Sequence, residues 1–263
     1  MRLLLFLSVL CLTAAAAAQD APVPPPSAAP PPAAQPATWD PAAAYITAGQ
    51  DIDGYKSWYL AVPSREGQVR SFNAYLESAG VMGVLPTWQL FRTAKSWQAC
   101  GGQPYEVPPT SEWPHIIQTL RYVRDYVIPA VGPVEAVSVY RNPSLNQCAG
   151  GAPESAHKHD SAIDMVPLKQ ITREQLIKTL CDDHTKNGAR YTAGLGFYAF
   201  LRFHVDSMKF RRWNMDPTVL ALCPPIVHPA DVASVAQPAS PPPIPPADAT
   251  VPQPQNGPQV QHR

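Results

Sequence analysis

Two separated segments of this chain each combine a histidine with a carboxylate, and together they restrict the fold. The first segment places His157 seven positions before Asp164, and the second places His204 two positions before Asp206. Two neutral imidazoles and one carboxylate form a three-ligand zinc site that leaves a fourth position for water. We therefore predict that His157, Asp164 and His204 converge, although His204 lies about forty residues after Asp164.

An open position on zinc is suited to hydrolysis. Zinc lowers the pKa of bound water from near 16 to roughly 7 and polarises a carbonyl oxygen. The histidine and aspartate pattern therefore predicts a zinc hydrolase that acts through an activated water.

The N-terminal residues have the pattern of a secretory signal. Arg2 precedes an apolar run that continues through Leu12, and the small residues Ala14 to Ala18 then offer a cleavage site. The run is too short to cross a bilayer, so residues 1–19 are predicted to be a signal peptide. The protein is therefore expected to be periplasmic and not membrane-spanning.

Both ends of the mature chain are rich in proline. Residues 20–38 are mostly proline and alanine, and residues 229–263 contain further proline runs. Such segments lack the apolar side chains needed to offset the entropy cost of ordering, so we predict a linker and a disordered tail. Residues 39–228 between them are long enough for one domain with its own core.

The charges are balanced, with 20 Lys plus Arg against 20 Asp plus Glu and no basic block. Nucleic acid is therefore not an expected partner. We expect a monomer.

Four cysteines remain once the signal peptide is removed: Cys100, Cys148, Cys181 and Cys223. An even number in an exported chain favours two disulfides, with three possible connectivities. The pairing that we favour is Cys100–Cys148 with Cys181–Cys223.

Hydrophobic periodicity predicts helices followed by strands. The helices are predicted at Gln68–Ala79, Pro86–Trp97, Ser111–Val131 and from the capping-box residue Thr172 to Gly188. The strands are predicted at Glu135–Tyr140, Ala162–Val166, Leu195–Tyr198 and Arg202–Asp206. This order predicts an α+β fold in which helices flank a small, mainly antiparallel sheet.

Several short motifs resemble one known family. They are Ser138-Val139-Tyr140-Arg141-Asn142-Pro143, Asn146, Gly150-Gly151-Ala152, Ser155-x-His157, Ala162-x-Asp164, Gly194-Leu195-Gly196-Phe197-Tyr198 and Phe203-His204-Val205-Asp206. In order and spacing they resemble the zinc D-Ala-D-Ala carboxypeptidases, which are peptidase M15-like and share a fold with murein endopeptidases and hedgehog proteins.

The resemblance implies a hydrolase of peptidoglycan stem peptides with zinc on His157, Asp164 and His204. It implies that Arg141 binds the substrate carboxylate or the developing oxyanion, a role that suits a guanidinium with two parallel donors. Asn146 and Ser155 match positions that shape the substrate site.

The chain departs from the family at three positions. Asp160 stands where relatives have glycine, and Leu201 and Arg202 stand where relatives have an acid or a histidine that accepts a proton. Asp206 is the remaining candidate, either as the general base or as the group that orients His204.

Two other functions stay open at this point. A murein D,D- or L,D-endopeptidase would cut a crosslink instead of releasing a terminal D-Ala. A catalytically inactive zinc-bearing module would bind wall peptides, and Leu201 and Arg202 are the residues that favour it.

Overall fold

A computed structural model describes residues 39–214 and 216–226. The predicted signal peptide, linker and C-terminal tail lie outside these residues. The helices are α1 (Ile52–Leu60), α2 (Ser64–Ser78), α3 (Thr87–Leu90), α4 (Trp113–Tyr122), α5 (Ile128–Val131), α6 (Pro143–Cys148), α7 (Arg173–Asn187) and α8 (Pro217–Leu222). The strands are β1 (Val134–Ser138), β2 (Ala162–Pro167), β3 (Gly194–Phe197), β4 (Phe203–Asp206) and β5 (Arg211–Asn214).

The five strands form one sheet in the order β1-β2-β4-β3-β5. Every neighbouring pair is antiparallel except β3 and β5, which run parallel. Helices pack against this mainly antiparallel sheet, so the predicted α+β class is confirmed.

The helix that leads into the sheet forms from an apolar stripe. Ile116, Leu120, Val123 and Val127 recur at helical spacing, and all four are fully buried. A π-helical turn at residues 123–127 joins α4 to α5, and Gly132, with φ of 85°, ends the helix. A left-handed φ favours glycine, which explains why the chain turns into β1 here.

Strand β2 places unlike side chains on its two faces. Ile163 and Met165 belong to the main hydrophobic core, whereas Asp164 between them points to the opposite face. Because α4 packs against β2, both faces of this strand are buried. The carboxylate of Asp164 is therefore held away from solvent.

The predicted helix over Pro86–Trp97 is wrong beyond Leu90. The backbone amide of Val139 donates to the carbonyl of Arg92, and Arg92 and Tyr105 form an isolated bridge. These long-range hydrogen bonds outweigh the local helical preference, which is a weak determinant on its own.

Helices α1, α6 and α8 and strand β5 were not predicted. Helix α1 follows the N-cap Asp51, and α6 follows the N-cap Asn142 with Pro143 in its first turn. Both starts carry ordinary capping signals in the sequence. Strand β5 has an Arg-Arg pair and pairs in parallel with β3, so no alternating apolar pattern indicated it.

Among the helices of the described residues, none combines the length and the apolar character needed to span a membrane.

Candidate metal centre

His157, Asp164 and His204 come together in the buried part of the domain. One potential ligand atom from each lies within 4.8 Å of the other two, and all three side chains are buried. The imidazole ring centroids of His157 and His204 are 5.0 Å apart. The three side chains that the sequence singled out therefore share one site that could hold a metal ion.

Strand register brings these residues together. Asp164 of β2 is paired with His204 of β4, His204 with Gly196 of β3, and Gly196 with Trp213 of β5. Paired residues of neighbouring strands point to the same face of a sheet, so these positions form one row. His157 reaches the row from a 3₁₀ turn (Ala156–His159) that precedes β2.

The hydrogen bonds of each imidazole determine which nitrogen faces the site. His157 Nδ1 donates to the carbonyl of Val139 at 2.6 Å, which leaves its Nε2 3.2 Å from Asp164 Oδ1. His204 Nε2 lies 3.0 Å from Asp206 Oδ2, and its Nδ1 is 2.9 Å from Asp164 Oδ1. Outer partners of this kind orient metal-binding histidines in proteins.

Electrostatics favour the metal-binding forms of His157 and Asp164, whereas for His204 burial is outweighed by the hydrogen bonds to Asp164 and Asp206, which raise its pKa. Burial, reinforced by the nearby Arg141 guanidinium, lowers the pKa of His157 to about 4, so the imidazole is neutral at pH 7. Burial alone would raise the pKa of Asp164, but His157, His204 and Arg141 outweigh it and hold the pKa well below its usual range. A neutral imidazole and a carboxylate are the forms that bind a divalent metal.

Asp206 lies on the far side of the His204 ring from Asp164. Its carboxylate accepts hydrogen bonds from the amide of Met208 at 2.9 Å and from Arg211 Nη1 and Nη2 at 3.1 and 2.8 Å. Together with the contact to His204, these bonds occupy both oxygens of a fully buried group. Of the two roles considered for Asp206, the geometry favours orienting His204.

Two glycines of β3 make room for the groups around His204. A Cβ atom at Gly194 would lie 2.2 Å from Asp206 Oδ2, and one at Gly196 would lie 2.2 Å from Trp213 Cε2. Real Cβ atoms do not approach other heavy atoms this closely, so both positions require glycine. Gly194 and Gly196 therefore leave the space that Asp206 and Trp213 occupy beside His204.

We expect Gly194→Ala to weaken metal binding by about 10- to 100-fold, because the methyl group displaces the carboxylate that orients His204. Competition with a chromophoric chelator measures the affinity. Gly67→Ala is the matched control, since a Cβ there meets no atom within 4 Å. Equal metal affinity in Gly194→Ala and wild type would show that Asp206 has no positioning role.

Arg141 lies directly against the proposed ligands. Its Nη2 donates to Asp164 Oδ2 at 2.7 Å and is 3.2 Å from His157 Nε2, while its Nε donates to Ser138 Oγ at 2.9 Å. The side chain is 11% exposed, so the guanidinium is fixed but reachable. Binding of a substrate carboxylate by Arg141 stays a prediction.

Asn146 and Ser155 lie in the chain segment that leads to His157. Asn146 is buried, and its Nδ2 donates to the carbonyl of Ala152 at 3.0 Å. The backbone of Ser155 accepts from the Lys158 amide and begins the 3₁₀ turn that carries His157. These bonds support the turn, and a substrate contact of either side chain stays a prediction.

Asp160 is a buried acid without a hydrogen-bond partner among the described residues. It is 1% exposed, and neither carboxylate oxygen is bonded. Its φ of 47° is left-handed, a conformation that aspartate and asparagine tolerate. Burial, together with the charge of Glu112, raises the pKa of Asp160 well above its usual value. The folded protein therefore favours the neutral form of this side chain more than the unfolded chain does.

We expect Asp160→Asn to stabilise the protein at pH 7 by about 1 kcal/mol or more, since folding then needs no proton uptake. A raised folded pKa means that wild-type stability falls as pH rises from the unfolded pKa towards the folded one. Thermal unfolding at pH 5 and pH 7 measures this, and the variant should lose that part of the pH dependence. A less stable variant at pH 7 would contradict the neutral assignment.

Sequence reasoning missed two side chains beside the site. Arg211 binds Asp206, and Tyr198 has its ring centroid 5.2 Å from that of Trp213 and 3.8 Å from Arg202 Cζ. Burial and the proximity of Asp164 raise the pKa of Tyr198, which keeps its hydroxyl protonated. Strand alternation could have found Tyr198, which lies two residues after Gly196 on the same face.

Two disulfides crosslink the domain. The pairs are Cys100–Cys148 and Cys181–Cys223, the connectivity favoured from the sequence. Cys148 ends α6, which begins directly after Arg141 and Asn142. The first disulfide thus links the segment after Arg141 to the loop at residue 100.

Residues 91–206 match the family model described as Peptidase M15. The matched stretch contains His157, Asp164 and His204 and ends at Asp206. No curated protein and no solved structure matches the chain.

Proposed function

Since this chain is peptidase M15-like over residues 91–206, a family of metal-dependent peptidases, we propose that it is an exported zinc peptidase that hydrolyses peptidoglycan stem peptides and releases a terminal D-Ala. The observation that carries this proposal is the buried group of His157, Asp164 and His204, whose ligand atoms lie within 4.8 Å of one another. Two imidazoles and one carboxylate are the donor set of hydrolytic zinc sites. When bound, zinc would polarise the scissile carbonyl and activate a water.

In this proposal three atoms hold the metal: His157 Nε2, His204 Nδ1 and a carboxylate oxygen of Asp164. Hydrogen bonds to Val139 and Asp206 fix both imidazoles before the metal arrives. Fixed ligands reduce the reorganisation that binding requires, which favours tight and selective coordination.

Arg141 would bind the anionic end of the substrate. Two of its nitrogens are already engaged, Nε with Ser138 and Nη2 with Asp164, which fixes the plane of the guanidinium. Its Nη1 makes no hydrogen bond within the described residues and can donate to a carboxylate. A terminal D-Ala supplies that carboxylate, which supports release of the last residue of a stem peptide.

Tyr198 would act as a hydrogen-bond donor to the substrate. Its raised pKa keeps the proton on the hydroxyl at neutral pH, and Asp164 lies close to it. Leu201 is apolar and the Arg202 guanidinium has donors only, so neither supplies a proton acceptor. Arg202 lies over the rings of Tyr198 and Tyr45. Asp206 would keep His204 in position and would not take the proton of the attacking water.

We propose a periplasmic location on the basis of the signal-like residues 1–19 and of the two disulfides, which form readily in that compartment. A monomer is proposed as the active form.

The test is digestion of purified muropeptides by the protein isolated from the periplasm, with the products identified by mass. We expect loss of one alanine from pentapeptide stems, loss of this activity with a chelator, and its recovery with zinc. Conversion of crosslinked dimers to monomers would instead assign an endopeptidase. A protein that binds zinc and stem peptides but cleaves none would instead be the inactive binding module. The lack of an acid at positions 201 and 202 supports this alternative.

A further inference from the structure

A polar cavity of about 410 Å³ lies beside the chain segment that follows Arg141. Asn142 lines it, and the preceding residue, Arg141, contacts Asp164. The cavity walls also contain one acidic side chain, Glu106, and one basic side chain, Arg65. The proposed reaction uses neither charge.

Glu106 is a partly buried carboxylate that lacks a cationic partner. Its Oε2 accepts a hydrogen bond from Asn142 Nδ2 at 2.8 Å, and no ion pair involves it within the described residues. Burial raises the pKa of Glu106, and the Asn142 bond offsets only part of this. A positive group placed in the cavity would therefore stabilise the ionised form of Glu106.

The hydrogen bond from Asn142 holds Glu106 in place. Asn142 is the N-cap of α6, where its Oδ1 accepts from the amide of Leu145 at 2.9 Å. The same side chain thus links the helix to the Glu106 carboxylate. A ligand would meet an anion whose position is set before binding, which lowers the entropy cost of the contact.

Arg65 supplies the opposite charge on the cavity wall. Its Cζ lies 4.4 Å from the ring centroid of Trp58, and its Nη1 donates to the Trp58 carbonyl. No carboxylate of the described residues lies within 4.0 Å of this guanidinium, Glu106 included. A cation and an anion therefore line the same cavity without pairing with each other.

We propose that this cavity binds a zwitterionic α-amino-acid group, with its ammonium on Glu106 and its carboxylate on Arg65. A group that carries both charges is the ligand that bridges two fixed, unpaired, opposite charges. The inference rests on the proposed function. In the substrate, the group would be the free end of a diamino acid such as diaminopimelate, whose side chain ends in an ammonium and a carboxylate.

Four synthetic stem peptides that differ only in the third residue test this proposal. That residue is diaminopimelate (both charges), its carboxamide (ammonium only, same length), lysine (ammonium only) or norleucine (neither). Wild type should show the highest kcat/KM for diaminopimelate and a kcat/KM roughly 10- to 100-fold lower for norleucine, the range expected for lost charged hydrogen bonds.

Glu106→Gln keeps the acceptor for Asn142 and removes only the charge. We expect it to lower kcat/KM about tenfold for the three peptides with an ammonium and to leave the norleucine peptide unchanged. Arg65→Gln should lower kcat/KM for the diaminopimelate peptide alone. Glu77→Gln on the exposed face of α2 is the matched control.

Equal effects of Glu106→Gln on all four peptides would overturn the proposal, as would no effect on any. A loss confined to the ammonium peptides, without an Arg65 effect, would overturn the zwitterion in favour of a simple amine site. If wild type cleaves none of the peptides, the proposed function itself fails, and that result is separate from the other two. Zinc content of each variant should match wild type, which excludes misfolding.

Discussion

Asp164→Asn is expected to abolish zinc binding and to lower peptide cleavage by at least about 10³-fold, because zinc supplies several kcal/mol of transition-state stabilisation. Asparagine has nearly the shape of aspartate but removes the only negative charge shared by His157, His204 and Arg141. The substitution leaves Arg141 as a mostly buried cation that has lost its partner. We expect a cost of about 3–5 kcal/mol in the free energy of unfolding.

The measurement combines zinc content by elemental analysis, cleavage of pentapeptide stems and urea unfolding. Asp53→Asn is the control, since its side chain is 82% exposed and, among the residues that the structure describes, its carboxylate pairs only with Lys56. His157→Gln is a second variant that removes a neutral ligand without removing charge, so it separates loss of metal from loss of the ion pair. Full zinc content in both Asp164→Asn and His157→Gln would exclude this metal centre.

Removing the Cys181–Cys223 disulfide is expected to lower the free energy of unfolding by about 4 kcal/mol, since it closes a segment with a sequence separation of 42. That segment contains β3, β4 and β5, and therefore His204. Both cysteines are buried, so alanine is a better replacement than serine, which would bury a hydroxyl.

Urea unfolding of the Cys181→Ala/Cys223→Ala protein tests this expectation, with a Cys100→Ala/Cys148→Ala protein for comparison. The Cys100–Cys148 disulfide has a sequence separation of 48, so chain entropy predicts a similar cost for both. A loss below about 1 kcal/mol in either variant would show that the disulfide adds little to the folded state.

The placement of Asp164 and His204 on one face of the sheet could be predicted from sequence, because strand periodicity determines it. Asp164 alternates with the core residues Ile163 and Met165, and His204 with Phe203 and Val205. Such alternation indicates both that the residues lie on strands and which face they occupy. The pairing of the two strands then aligns Asp164 with His204.

The side chains that hold the three candidate ligands in place could not be predicted from strand periodicity. Arg211 lies five residues after Asp206 on a strand with no apolar pattern, and it reaches the carboxylate only because β5 pairs with β3. The helix predicted over Pro86–Trp97 does not extend to Arg92 for a similar reason. The hydrogen-bond partners of Arg92 are Gln50, Glu135 and Ala136, which are distant in sequence. Local patterns carry no information about such partners, whose contacts depend on the finished fold.

Strand pairing across β2, β4 and β3 places His204 beside Asp164. The geometry of the site therefore does not depend on how many residues lie between β2 and β3. Residues 168–193 leave the sheet after β2 and return to it at β3, so lengthening this excursion at an exposed turn would leave the Asp164–His204 pairing intact. Slippage of β4 by a single residue would turn His204 to the opposite face. An insertion at an exposed turn of this excursion is therefore compatible with the site, whereas a deletion of one residue inside β4 would turn His204 away from Asp164.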